Sequence, residues 1–218
     1  MKYKLLLLVL ILFFIKKTEA QIVPGYQGKR TYLEYNLHFV PTLLGVDSKG
    51  SKFGIGERKS LITWSFRHKV NMNYVTKRNA EIGGSISLGN TGVLDENSSF
   101  GTIRFTTIGF NYNRYFVKST GALAPLGRYF KLETQYIQTA NYFINHPRID
   151  HHFAYFGAGI GSRKIFKDFF ILNLSFQSGL VLPIGSSEED NMYKNDVRLR
   201  LQYHYLYEAN IGIGFLLF

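Results

Sequence analysis

From about residue 29 onward, apolar and polar residues trade places at nearly every second position of this 218-residue chain. Successive side chains of a strand point to opposite faces, so a period of two marks strands with one apolar and one polar face. Every such apolar face must meet a core or an apolar solvent, and this constrains the fold more than any other feature. Eight segments carry the pattern. The first, near 29–44, sets Leu33, Tyr35, Leu37 and Phe39 against Arg30, Glu34, Asn36 and His38. The others fall near 61–75, 80–88, 101–117, 129–138, 152–163, 169–182 and 197–218. In the fourth, parity slips near Gly109: Ile103 and Phe105 are odd, while Ile108, Phe110 and Tyr112 are even. One extra residue at a β-bulge would restore a single apolar face there. The eighth is the longest. Val197, Leu199, Leu201, Tyr203, Tyr205, Tyr207, Ala209, Ile211, Ile213 and Phe215 share one face of it, with Arg198, Arg200, Gln202, His204, Glu208 and Asn210 on the other.

Most segments reach the 9–11 residues that a tilted strand needs to cross a bilayer. The connections alternate. Residues 45–60, 89–100, 139–151 and 183–196 form long polar stretches, whereas 76–79 and 164–168 are tight. Long connections on one side and short ones on the other are the habit of outer-membrane barrels, with the short ones toward the periplasm. The connection at 118–128 breaks the rule, and its proline and glycines favour a defined turn. A soluble lipocalin-type barrel is the alternative, because alternation does not say which face points outward. Strand length, loop alternation and aromatic rings near strand ends (Tyr35, Tyr74, Phe116, Phe130, Tyr203, Tyr207) favour the membrane form. The fold expected is all-β: an eight-stranded antiparallel up-and-down transmembrane β-barrel.

Eight strands enclose a space that side chains can fill. Arg30, Glu34, Arg67, Lys69, Glu81, Arg104, Lys131, Glu133, Arg198, Arg200 and Glu208 are the charges expected inside it. Buried charges need partners, so opposite signs should pair across neighbouring strands. Closure of strand eight on strand one would set Arg30 or Glu34 near Arg198, Arg200 or Glu208. A plug-like salt-bridge network is the expected result, and a narrow ion path lined by the same residues is the alternative.

Lys2 and Lys4 precede an apolar run from Leu5 to Ile15, and Thr18-Glu19-Ala20 supplies a small residue before Gln21. This reads as a secretory signal peptide over residues 1–20, followed by one barrel domain over 21–218. The run is short for a helical span, and an uncleaved anchor is the competing reading. Loss of residues 1–20 takes four lysines and one glutamate from 26 basic and 15 acidic residues, leaving a net charge of +8. The basic residues are dispersed and not blocked, which argues against nucleic acid and for anionic lipid headgroups as beneficiaries. There is no cysteine, so lipoprotein signals, disulfides and thiolate metal sites are excluded.

The closing segment up to Phe218 resembles the last strand of a bacterial outer-membrane barrel. That resemblance implies that Phe218 acts as an assembly signal read by the barrel-assembly machinery. Ala124-Pro125-Leu126-Gly127-Arg128-Tyr129 resembles a recurring turn in small outer-membrane barrels of the Bacteroidota, of the OmpA/OmpX-like eight-stranded type. The implied role is structural or surface interaction, with outer-membrane lipids as neighbours and extracellular partners reached through the loops. A channel or conduit is the alternative, then a lipid-modifying enzyme at the rim.

No cofactor, metal site or catalytic set is expected. His146, His151 and His152 lie near Asp150, but in no zinc-ligand spacing. No Ser-His-acid set assembles from spacing. Gly157, Gly159 and Gly161 lack the βαβ unit of a dinucleotide loop and instead clear room for bulky neighbours. Glu188, Glu189 and Asp190 read as a solvated loop tip.

Overall fold

The computed structural model describes residues 25–42, 63–91, 103–116, 124–141, 149–185, 197–198, 201–202 and 204–217. Eight strands follow in chain order: β1 (Thr31–Thr42), β2 (Thr63–Lys77), β3 (Ala80–Thr91), β4 (Ile103–Tyr115), β5 (Gly127–Asn141), β6 (Ile149–Phe166), β7 (Phe170–Pro183) and β8 (Glu208–Leu216). Each pairs antiparallel with its sequence neighbour, and β8 pairs back onto β1, which closes the barrel. The strands are staggered. Following partners from Phe39 through Ala209, Phe176, Ile160, Phe130 and Arg114 to Ala80 leads to Lys77, whereas the direct partner of Phe39 on β2 is Phe66. Such stagger is what tilts strands in a closed barrel.

The molecule is inside out relative to a soluble barrel. Ile108 is 63% exposed on the outer wall, whereas Glu34, Arg67, Lys69, Glu81 and Glu208 are wholly buried within it. Met72, Ile86, Phe156 and Leu180 continue the outer apolar surface around the barrel. An apolar wall of this kind is stable in lipid, and closure satisfies the backbone groups there. The class is therefore an eight-stranded, all-antiparallel, up-and-down transmembrane β-barrel.

The fourth strand has no bulge at Gly109; its pairing with β3 and β5 runs without a break. Phe105 simply points inward with the polar residues and is 3% exposed. Interior space at that level takes a ring as well as it takes an amide. The one register shift on β2 and β3 lies between Val75 and Lys77, beside the tight turn.

The eighth segment differs more. Among its described residues Glu208–Leu216 is strand, while 197–198, 201–202 and 204–206 are helical. Val197, Leu201 and Tyr205 stand four apart, so they share a helix face as readily as a strand face. They are fully buried with Phe105, Ile137, Phe153, Tyr155 and Val181. Burial inside the barrel mouth on that one face outweighs the strand pattern.

At the short-turn end, Lys167 and Asp168 both take positive φ (49° and 62°) and reverse the chain between β6 and β7. Two such residues in a row match the twist of antiparallel strands. The turn before β5 contains a cis Ala124–Pro125 bond and Gly127 at φ 108°, a value that favours glycine. Ala124 is buried with Val75, Tyr115 and Tyr129 and seals that end of the lumen. Its N–H donates to the Arg78 carbonyl at 2.9 Å.

Candidate functional site

The interior holds two polar cores. At the short-turn end, Arg163 on β6 is central. Its Nε donates to Glu34 Oε2 at 2.8 Å and its Nη1 to Glu81 Oε1 at 2.6 Å. The guanidinium lies over the rings of Tyr32 (4.9 Å) and Tyr129 (4.8 Å) and also donates to the Tyr115 hydroxyl. Tyr32 donates to Glu81 at 2.6 Å, and so does the Asn113 amide. Asn173 donates to Glu34 at 2.9 Å and accepts from Tyr129 at 2.7 Å. Stacked rings and two carboxylates suit the flat, weakly hydrated guanidinium better than they would an ammonium.

Toward the long-loop end, Arg67 Nη2 donates to Glu208 Oε2 at 2.7 Å and contacts His38 Nδ1 at 3.0 Å. Lys69 and Lys131 both pair with Glu133, the latter at 2.8 Å, and Lys131 also donates to Gln177 at 3.0 Å. Gln177 reaches Glu208, so these groups form one connected set. Among the described residues buried in the lumen, Arg67, Lys69, Lys131 and Arg163 balance Glu34, Glu81, Glu133 and Glu208. Such balance offsets the desolvation of each charge.

The helical residues sit on this second core. The Tyr205 ring lies 4.6 Å from the Arg67 guanidinium, and its hydroxyl donates to Gln135 at 3.2 Å. His204 meets the Phe105 ring edge-on at 5.0 Å. Because β8 starts at Glu208, paired with Gln177, the upper part of β7 has no strand on that side among the described residues. Gln202 takes the place of one: it accepts from Val181 N–H at 2.7 Å and donates to Gly179 C=O at 2.8 Å. One side-chain amide thus satisfies two backbone groups at the seam.

Glycines shape the lumen beneath the rings. A Cβ on Gly157 or Gly179 would collide with Tyr155, and one on Gly161 with Tyr129. At the short-turn face, Tyr26 donates to Asp168 Oδ1 at 2.9 Å and Lys29 Nζ to the Asp168 carbonyl at 3.2 Å, latching the residues before β1 to the β6–β7 turn. The hydrogen bond to Asp168, with burial and the carboxylate charge, raises the Tyr26 phenol above its ordinary pKa.

The charges named from the pattern are placed as follows. Glu34, Arg67, Lys69, Glu81, Lys131, Glu133 and Glu208 are buried in the lumen. Arg104 is on the outer wall and exposed, because it shares parity with Thr106 and Ile108 and not with Phe105. Arg30 lies before β1, half-buried, and donates to the Tyr74 hydroxyl at 3.3 Å on the outer side. Arg198 is helical and half-buried, while Arg200 and Phe218 lie outside the described residues, as do residues 1–20 and 188–190.

The pairing also departs from expectation. β8 does adjoin β1, but Glu34 bonds Arg163 on β6 and Glu208 bonds Arg67 on β2. The Arg–Glu ion pairs thus reach across the lumen, whereas His38 and Gln177 meet Glu208 from the strands on either side of it. The pattern puts His38 on the polar face, where it is buried, but does not single out Arg163 or the inward tyrosines. Arg163 follows the glycine string at even spacing (157, 159, 161), which marks it as inward. His151 is buried inside while His152 faces out, as neighbours on a strand must, so the two cannot converge on one ion. His146 lies outside the described residues, among which no group of three or more metal-ligating side chains assembles.

No family model matches the chain, and no curated protein matches it. Among solved structures, it is similar to the N-terminal β-barrel domain of Pseudomonas aeruginosa OprF (10% identity, TM-score 0.44, 86% of this chain and 97% of that one). It is also similar to Neisserial surface protein A (6%, 0.47, 86% and 97%) and to Ail, the attachment invasion locus protein of Yersinia pestis (9%, 0.43, 85% and 98%). The likeness is to the barrel layout alone. The class stated above rests on the chain's own closed sheet, apolar outer wall and charged interior.

Proposed function

We propose that this protein is an outer-membrane β-barrel with a structural or surface-interaction role, and not a conduit or an enzyme. One observation carries the reading: the lumen is occupied by mutually paired charges and, at the long-loop end, by the chain's own helical residues. A structure filled in this way offers its outer wall and its loops as working surfaces. The non-enzymatic reading is supported by the histidines. His38 is tied to Arg67 and Glu208, and His68 and His152 are each held by a tyrosine.

Secretion by the segment 1–20, delivery to the outer membrane and recognition of Phe218 by the assembly machinery complete the proposal. Kinship with the small Bacteroidota barrels rests on the 124–129 turn. The partners proposed are outer-membrane lipids and an extracellular partner met through the loops, without nucleic acid.

Single-molecule recording in planar bilayers tests the filled lumen. Insertion without a steady conductance step is expected. A reproducible ohmic, ion-selective step would sink the proposal in favour of a channel.

A further inference from the structure

On β4 the outward positions read Arg104, Thr106, Ile108, Phe110, Tyr112, Arg114. The two arginines bracket the apolar run. Ten residues at a rise of about 3.3 Å, on a strand tilted by about 40°, separate them by roughly 25 Å along the membrane normal, the height of a barrel's apolar band. Each arginine therefore stands at a headgroup level, Arg104 at the long-loop side.

The wall around Arg104 differs from the wall around Arg114. One register row runs His68, Leu88, Thr106, Gln138, His152 across β2–β6, directly above the apolar row Val70, Ile86, Ile108, Tyr136, Ala154. In both the β1–β2 and β5–β6 hairpins a tyrosine of the lower row meets a histidine of the upper one. Tyr35 bonds His68 Nδ1 at 2.6 Å, and Tyr136 bonds His152 Nδ1 at 2.6 Å. A tyrosine that donates to Nδ1 leaves the histidine an N–H at Nε2, a donor suited to anionic oxygen. Between these pairs lies a groove of about 650 Å3, lined among others by Arg104, Thr106, Gln138, Phe66 and Leu88. Arg104 has no hydrogen-bond or ion-pair partner among the described residues. Asp150, the acid of its row, stands two strands away beyond Ala140.

We propose that this groove is a docking site for the phosphate-bearing headgroup of a membrane lipid, with Arg104 as the phosphate ligand and Thr106 and Gln138 as flanking donors. The inference rests on the membrane-barrel reading. The occupant follows from charge and position. A free guanidinium matches a phosphate in a two-point hydrogen bond, and the apolar row beneath continues the surface along which the acyl chains would lie.

The test uses the full chain in phosphatidylcholine nanodiscs that contain a minor fraction of phosphatidic acid, with protein-retained lipid counted by native mass spectrometry. Heat-modifiable migration on gels verifies barrel formation in each variant. Wild type and Arg114→Gln are expected to retain phosphatidic acid in excess of its share, and Arg104→Gln to lose about fivefold of that enrichment. Equal retention in Arg104→Gln, an equal loss in Arg114→Gln, or no enrichment in wild type overturns the site while leaving the barrel intact. A wild-type chain that forms no barrel in lipid overturns the membrane reading, and the site with it.

Discussion

The two ends of the lumen are filled by different means. At the short-turn end, strands alone supply the contents: one arginine, two glutamates and three tyrosines in a cage. At the long-loop end the strand-borne charges of Arg67, Lys69, Glu133 and Glu208 are roofed by residues that the chain folds back into the mouth. The first end is held by electrostatics in a sealed space, the second by apolar burial over a charged floor. A narrow barrel closes itself where its turns are short, and it needs inserted chain where a strand stops early. β8 begins only at Glu208, and Gln202 covers the edge this leaves on β7.

Breaking the cage gives the largest expected effect. Arg163→Met leaves Glu34 and Glu81 buried without their cation, which costs about 3–5 kcal/mol. Urea unfolding in lipid vesicles reads the loss. Hydrogen exchange should show it concentrated in the short-turn halves of β1, β3 and β6. Adding Glu34→Met and Glu81→Met should restore much of it, since removal of all the charges leaves none unpaired. If the double replacement worsens the loss, the cage is held by packing and not by charge.

At the other end, Leu201→Ala removes a buried side chain from the roof and should cost about 2–4 kcal/mol. Increased proteolysis near residues 197–206, with the short-turn half still protected from exchange, would separate the two ends. Uniform loss of protection would show that they act as one core. The smallest change is Gln202→Ala, which strips the β7 edge of its amide partner at a cost of about 1–2 kcal/mol. Faster exchange of the Val181 amide is its signature; an unchanged rate would mean that another group covers the seam.

The alternation made the strands readable, because a residue's parity sets its side of the sheet whatever the fold. The limits of β1, β2 and β3 stand close to where the pattern predicts them, and closure follows from an apolar face that has no other place to go. Parity failed at aromatic residues. Phe105 and Tyr155 are apolar in a count of hydropathy, yet they fill the lumen, where ring size and room over Gly157 and Gly179 matter more than polarity. Apolar parity therefore predicts a bulge at Gly109 and an inward Arg104, whereas the unbroken register puts Arg104 outside.

The chain's sequence by itself determined that eight amphipathic strands form, that they run up and down with short turns at one end, and that charges of both signs share the polar face. Those are local facts, set by the two-residue period and by turn chemistry. Tertiary structure decided which charges meet. Partners such as Glu34 and Arg163, or Arg67 and Glu208, stand on strands that are not neighbours in chain order, and only closure and stagger bring them together across the lumen. It also decided between helix and strand at 197–198, 201–202 and 204–206, where the spacing of Val197, Leu201 and Tyr205 satisfies both periods. There the empty mouth of the barrel offered burial that an extended wall facing lipid did not.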